Sequence, residues 1–239
     1  MVLSVDGYRL AAVLHLPERD HPPFVIGSHG LFSNGSSPKQ LELAERLNAE
    51  GIAYLRLDHR GCGGSTGEFE AATSLEGRCR DLKAALAWMQ SSPRLASRFG
   101  FFGSSMGGAT CLAAAGRLRP ERMVTVAAPI DSRSLLARAD HTGRRNVPDV
   151  FRGESLQFDL REGLSSLKGL LVFHGELDET VPVAHGRELY ARVAEPKKLI
   201  VNEGGDHRMS LRSHQLRFLD EAVIWFLPLT RLREEDARK

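Results

Sequence analysis

The feature that most constrains the fold of this chain is the alternation of short apolar runs with longer segments of helical periodicity. This alternation is preceded by two apolar runs, which flank Asp6-Gly7, a dipeptide that favours a tight hairpin turn. Repeated strand and helix units predict a mostly parallel, doubly wound α/β sheet whose ligands bind at the carboxyl ends of the strands. The predicted strands are residues 2–5, 10–16, 24–28, 52–57, 99–102, 123–127, 170–173 and 198–201, and the predicted helices are residues 38–50, 75–89, 106–118, 182–193 and 210–226.

Length, charge and cysteine usage narrow the class of protein. A chain of 239 residues suits one α/β domain over 1–239. Its 32 basic and 30 acidic side chains are nearly balanced, which gives no reason to expect a nucleic acid partner. The three cysteines lack the spacing of a disulfide framework or a metal site. Because we find no leader peptide and no apolar run of the ~18 residues that cross a bilayer, we expect a cytoplasmic protein without a membrane partner.

The segment 131–165 interrupts the alternation, because it contains no clean strand pattern. It carries six arginines and six acidic residues and is too short for an independent domain. We expect it to form a small cap of one or two short helices over the strand ends. An ordinary surface excursion is the alternative.

The strongest local signal for chemistry is the segment 103–107, which fits the pattern Gly-X-Ser-X-Gly between a predicted strand and a predicted helix. A serine on such a sharp turn adopts strained backbone angles, and only glycine fits at Gly103 and Gly107 because these positions come close together. The turn lifts the hydroxyl of Ser105 clear of the sheet, beside the amide groups that begin the next helix. Ser105 is therefore the predicted nucleophile.

A serine hydroxyl needs a base to take its proton, and a histidine after a late strand suits this role. His207 follows the last predicted strand and is the preferred base. His29, His59 and His174 also follow predicted strands, so position alone leaves them open as alternatives.

The base in turn needs a carboxylate that fixes its tautomer and stabilises the imidazolium. Asp178 follows the predicted strand 170–173 and is the preferred acid. Glu176 and Glu179 are its neighbours and rivals. Asp131 is a third alternative, because it follows another strand whose end reaches the same edge of the sheet.

Acyl transfer also requires two backbone N–H groups that point at the developing oxyanion. The amide of Met106, directly after the nucleophile, is the first predicted donor. The second should come from the turn after the strand 24–28. We prefer the amide of Leu31 there, with Phe32 as the alternative.

With these segments in this order, the chain resembles the α/β-hydrolases, close to the small bacterial esterase, serine aminopeptidase-like and dienelactone hydrolase-like branches. The resemblance implies an eight-stranded sheet whose second strand is antiparallel, a triad of Ser105, His207 and Asp178, and oxyanion donors at Leu31 and Met106. It covers nearly the whole chain and rests on His29-Gly30 and on the segments 58–65, 103–107, 174–182 and 205–207.

The chain also departs from its relatives in ways that bear on function. Ser104 stands where many relatives have a histidine before the nucleophile, and the segment 131–165 is shorter than an inserted lid. A serine at 105 separates the chain from dienelactone hydrolases proper, which use cysteine, and from dehalogenases, which use aspartate. Cys62 lies in a loop that is structural in the family.

The predicted function is the hydrolysis of a small carboxylic ester by two-step acyl transfer, with a small acyl compound as the only expected partner and with no metal or organic cofactor. Thioesterase and short-peptide peptidase activity use the same machinery and stay open. A non-catalytic binding protein on the same fold is an alternative of a different class. The sequence leaves the oligomeric state open between a monomer and a homodimer.

Overall fold

The structure is a computed structural model, and it describes residues 1–135 and 154–231. Within these ranges the chain forms one twisted sheet with helices packed on both faces. Short 3₁₀ helices lie at Glu154–Leu156, Arg161–Ser166 and Leu227–Thr230. The strands are β1 (Val2–Val5), β2 (Tyr8–His15), β3 (Phe24–Ser28), β4 (Ala53–Leu57), β5 (Phe99–Ser104), β6 (Arg122–Val126), β7 (Leu170–Gly175) and β8 (Lys197–Asn202), and the helices are α1 (Pro38–Ala49), α2 (Phe69–Ala72), α3 (Leu75–Gln90), α4 (Met106–Leu118), α5 (Val183–Arg192) and α6 (Arg212–Phe226).

The sheet has eight strands in the order β1-β2-β4-β3-β5-β6-β7-β8. β2 runs antiparallel to both of its neighbours, and all pairs from β4 to β8 are parallel. The hairpin between β1 and β2 closes through Asp6 and Gly7, which both have positive φ angles, as a tight two-residue turn requires. The predicted mostly parallel eight-stranded sheet, with its antiparallel second strand, is confirmed.

Two apolar layers cover the faces of the sheet. α3, α4 and α5 pack against one face through residues that include Leu82, Leu112 and Leu189. α1 and α6 pack against the other face through residues that include Leu43 and Phe218. The central strands are buried on both sides, which explains why their sequences are mostly apolar and do not alternate with polar residues.

Several predicted boundaries are wrong. β5, β7 and β8 extend beyond the predicted ends 102, 173 and 201, because pairing with neighbouring strands continues through residues of low strand propensity such as Gly103 and Gly175. Pro182 caps α5 and does not start it, α6 begins at Arg212 and not at 210, and the short helix α2 was not predicted.

The segment 131–165 is described only in part, because residues 136–153 lie outside the described ranges. Its described end contains the two short 3₁₀ helices that begin at Glu154 and Arg161, and Asp131 forms an isolated antiparallel bridge with Asp159. Leu156 packs against Leu31 and Met106 at the carboxyl end of the sheet. Leu156 therefore lies beside the strand ends, while the cap over 131–165 as a whole stays a prediction. In the described ranges, no helix combines the length and the apolar character that crossing a bilayer needs.

The contact between the sheet and the start of α4 depends on glycine. A Cβ atom at Gly107 would lie 2.0 Å from the carbonyl oxygen of Ser28 at the end of β3. A Cβ atom at Gly103 would lie 2.4 Å from the carbonyl oxygen of Gly107. Both distances are too short for any side chain, as the pattern predicts. The first turn of α4 therefore packs directly on the backbone of β3.

Two glycines of α4 offer a matched test of this packing. Gly107→Ala should lower the free energy of unfolding by about 2–3 kcal/mol, because the methyl group forces backbone apart. At Gly116, in the same helix, a Cβ meets no atom within 4 Å. Gly116→Ala should therefore raise stability by about 0.5–1 kcal/mol. Urea denaturation of both variants measures the difference, and equal stabilities would contradict the packing described above.

Candidate active site

The backbone of Ser105 is held in a conformation that a non-glycine residue rarely adopts. Its φ and ψ angles are 52° and −122° at the turn from β5 into α4. The amide of Ser105 donates a 2.7 Å hydrogen bond to the carbonyl oxygen of Val126 in the neighbouring strand β6. Backbone strain of this kind costs of order 1–3 kcal/mol and persists only where the surroundings enforce it. The neighbouring strand and the glycine contacts of the turn supply that enforcement.

The side chains of Ser105, His207 and Asp178 form one hydrogen-bonded chain. The Nε2 atom of His207 lies 3.1 Å from the Oγ atom of Ser105. The Nδ1 atom of the same ring lies 2.9 Å and 3.0 Å from the two carboxylate oxygens of Asp178. The structure therefore brings together the three side chains that the sequence predicts to act together.

The loops that carry Asp178 and His207 are tied to each other by their backbones. The amides of Glu176 and Leu177 each donate a 2.9 Å hydrogen bond, to the carbonyl oxygens of Asn202 and Gly205. A Cβ atom at Gly175 would lie 2.4 Å from the Gly205 carbonyl oxygen, so only glycine allows this approach. The acid and the histidine are thus placed by two adjacent strand ends.

Asp178 is buried and held as a carboxylate. Its Oδ1 atom accepts hydrogen bonds from the amides of Thr180 at 2.9 Å and Val181 at 2.7 Å. Burial by itself raises the pKa of Asp178, but hydrogen bonds from His174, His207 and the Val181 amide outweigh it, so the pKa lies well below its usual range. A charged Asp178 favours the tautomer of His207 that carries its proton on Nδ1, which leaves Nε2 free to accept a proton from Ser105.

The alternative histidines are engaged elsewhere. His174 is buried, and its Nε2 atom lies 2.8 Å from the carbonyl oxygen of Val181. The buried ring of His59 bonds Ser28 and Asp81, and the Nε2 atom of His29 accepts from the amide of His59. None of the three has a hydrogen bond to Ser105 in the described ranges.

The alternative acids have other partners as well. Glu179 accepts from the backbone amide of His207 and Glu176 from that of Gly204, so both support the loop and do not bond the imidazole. Asp131 is paired with Arg161 at 2.7 Å and accepts hydrogen bonds from Ser134.

The two predicted oxyanion donors, the amides of Met106 and Leu31, belong to segments that meet beside Ser105. Met106 is the first residue of α4, so its amide has no acceptor within the helix. A Cβ atom at Gly30, directly before Leu31, would lie 3.7 Å from the Cβ atom of Ser105. The turn that carries Leu31 therefore runs next to the nucleophile position, while the role of both amides stays a prediction.

The sequence reasoning missed a buried polar cluster beneath this turn. Arg78 and Asp81 lie on α3 and are fully buried, with Arg78 donating to the carbonyl oxygen of His29 and Asp81 bonded to His59 and Arg60. The signal was present, because Arg78 lies one turn before Leu82 on the apolar face of a predicted helix. A charged residue at such a position needs a buried partner.

The described ranges contain no group of three or more histidine, cysteine, aspartate or glutamate side chains that could hold a metal ion. The hydrogen-bonded chain of hydroxyl, imidazole and carboxylate can by itself support nucleophilic attack with proton transfer.

Comparisons with known proteins agree with this architecture. The chain is 28% identical over 214 residues to the uncharacterized protein Rv2307c of Mycobacterium tuberculosis, which covers 87% of this chain and 71% of that protein. The fold is similar to that of Est1E from Butyrivibrio proteoclasticus with bound ferulic acid, with a TM-score of 0.77, 22% identity and full coverage of both chains. It is also similar to an esterase from Pyrococcus furiosus, with a TM-score of 0.81, 20% identity and coverage of 97% of this chain and 90% of that one.

The family model described as serine aminopeptidase, S33, matches residues 20–147, which is more than half of the 239 residues. This match includes the turn at His29-Gly30, the loop 58–65 and the strand–turn–helix around Ser105. The chain therefore belongs to the serine aminopeptidase (S33) family of α/β-hydrolases.

Proposed function

We propose that this protein is a serine hydrolase that cleaves small carboxylic esters by two-step acyl transfer. The observation that carries the proposal is the continuous hydrogen-bonded chain from Ser105 through His207 to Asp178, with distances of 3.1 Å and 2.9 Å. All three side chains follow parallel strands at the carboxyl edge of the sheet, where this class of fold binds its ligands.

In the first step, the Oγ atom of Ser105 attacks the ester carbonyl carbon while its proton moves to Nε2 of His207. The negative charge that develops on the carbonyl oxygen is stabilised by the amides of Leu31 and Met106. The tetrahedral intermediate collapses when its bond to the leaving oxygen breaks and His207 returns the proton to that oxygen. The products are a free alcohol and an acyl group bound to Ser105.

In the second step, water takes the place of the alcohol. His207 accepts a proton from the water as its oxygen attacks the acyl carbon, and the same two amides stabilise the second oxyanion. The bond from the acyl carbon to Ser105 breaks, and the proton passes from His207 to the Oγ atom. Asp178 stays ionised and stabilises the imidazolium in both steps.

The strained serine supports an enzyme over a binding protein. A binding role gains nothing from a φ angle of 52° at Ser105, whereas catalysis gains a hydroxyl that is lifted from the sheet and placed at the start of α4. The ester assignment is supported by the two structural neighbours, one named an esterase and the other, Est1E, bound to ferulic acid. Peptidase activity is the second candidate, because the family model is described as a serine aminopeptidase.

Substitution at the site should remove turnover without unfolding the protein. With a nitrophenyl acetate substrate, Ser105→Ala should lower kcat by roughly 10⁵-fold or more, and Asp178→Asn by roughly 10⁴-fold, because the imidazole then loses its orienting carboxylate. Ser104→Ala is the matched control, since it removes a hydroxyl one residue away and should leave kcat within about threefold. A Ser105→Ala variant with kcat within tenfold of the wild type would exclude Ser105 as nucleophile.

A substrate panel should separate the remaining activities. We expect kcat/KM to be highest for nitrophenyl esters of short acids, lower for acyl thioesters and lowest for aminoacyl arylamides. The arylamides should be slowest because the nitrogen of an amide must be protonated before it can leave. Initial rates at substrate concentrations below KM measure the order. An arylamide with a higher kcat/KM than the ester of the same acyl group would replace the esterase assignment with a peptidase.

A further inference from the structure

Arg78 is a buried cation that has no counterion at bonding distance in the described part of the chain. It lies on α3 with its side chain fully buried, and within the described residues it forms no ion pair. Its Nη1 atom has no hydrogen-bond partner there either. Burial lowers the pKa of Arg78 to about 10, which still leaves the guanidinium charged at neutral pH. Burial of a charge without a counterion costs free energy, so we expect Arg78 to do more than fill space.

Within the described residues, hydrogen bonds from Arg78 lead to the two segments that supply the proposed oxyanion donors. Its Nη2 atom donates to the carbonyl oxygen of His29, two residues before Leu31. Its Nε atom donates at 3.3 Å to the hydroxyl of Thr110, and that hydroxyl donates at 2.9 Å to the carbonyl oxygen of Met106. One side chain therefore connects the turn after β3 to the first turn of α4.

Further buried groups hold the same turn from its other side. The thiol of Cys62 points at the carbonyl oxygen of Leu31, 3.9 Å away. The backbone amide of His59 donates at 3.0 Å to the ring of His29. The ring of His59 lies 2.8 Å from the hydroxyl of Ser28. The carbonyl groups of the turn thus point inward to buried donors. The amide of Leu31 shares its peptide with the carbonyl group of Gly30, whose oxygen lies 2.6 Å from Nδ1 of the His29 ring. The ring that the His59 amide holds therefore also orients the peptide of the proposed donor.

We propose that Arg78 is a positioning residue for acyl transfer, which holds the turn of Leu31 and the start of α4 so that both amides converge on the oxyanion. This inference rests on the proposed function. The planar guanidinium suits the task, because its N–H groups keep two acceptors at a fixed separation and angle. A positive charge in this low-dielectric interior also favours a nearby oxyanion in the transition state.

Two conservative variants test the proposal. Arg78→Lys keeps the charge but cannot hold both acceptors, and Thr110→Val keeps the buried volume but removes the hydroxyl between Arg78 and Met106. We expect kcat to fall about 10- to 100-fold for Arg78→Lys and about 3- to 10-fold for Thr110→Val, with KM within about twofold. If the Arg78 variant does not fold, Thr110→Val still tests the proposal.

Binding of a boronic acid separates positioning from a general structural role, because its tetrahedral adduct with a serine mimics the oxyanion. Its dissociation constant should rise in each variant by the same factor by which kcat/KM falls. Arg98→Met is the matched control, since Arg98 is a mostly buried arginine that pairs with Glu121 and precedes β5 at the opposite edge of the sheet. This variant should lose stability in urea while its kcat and its boronic acid affinity stay within twofold of the wild type.

The wild type and Ser105→Ala are measured first, so that a failure of the proposed function can be distinguished from a failure of the role of Arg78. A wild type without esterase activity would refute the proposed function and with it this inference. An active wild type, together with folded Arg78→Lys and Thr110→Val variants whose kcat and boronic acid affinity stay within twofold of it, would overturn the role of Arg78 alone.

Discussion

The contact between the first turn of α4 and the end of β3 is the constraint on which the rest of the site depends. With a methyl group at Gly107, α4 could not approach Ser28, whose carbonyl oxygen would lie 2.0 Å from it. This approach holds Ser105 at a positive φ angle and sets its hydroxyl 3.1 Å from Nε2 of His207. It also places Met106, the first residue of α4, in the same buried apolar cluster as Leu31. Together with the hydrogen bond from the Ser105 amide to Val126, this backbone contact fixes the position of the nucleophile.

Much of this arrangement could be predicted from the sequence, because parallel strands bring their carboxyl ends to one edge of the sheet. Ser105, Asp178 and His207 each follow a predicted strand, so a fold-level argument alone brings them near one another. The glycines at 103 and 107 were equally predictable, since their positions in a sharp strand-to-helix turn exclude a side chain. What the sequence left open was the choice among several histidines and acids, because each followed some strand.

The rest required coordinates, since it depends on side-chain direction. His174 follows β7, but its ring is bonded to the carbonyl oxygen of Val181 and has no bond to Ser105. The apolar spacing of α3 identifies its buried face, but nothing local indicates that the buried Arg78 on this face has the carbonyl group of His29 as its partner. Strand ends such as Gly175 were also missed, because pairing with a neighbouring strand outweighs the low strand propensity of glycine.

Covalent labelling with a fluorophosphonate tests the central claim, that Ser105 is an activated nucleophile, most directly. Tryptic cleavage after Arg98 and Arg117 gives one peptide, residues 99–117, that contains Ser105. We predict a single adduct in this peptide, located at Ser105 by fragmentation, lost in Ser105→Ala and formed much more slowly in His207→Ala. A folded wild-type protein that takes up no label, or one whose adduct persists in Ser105→Ala, would contradict the account.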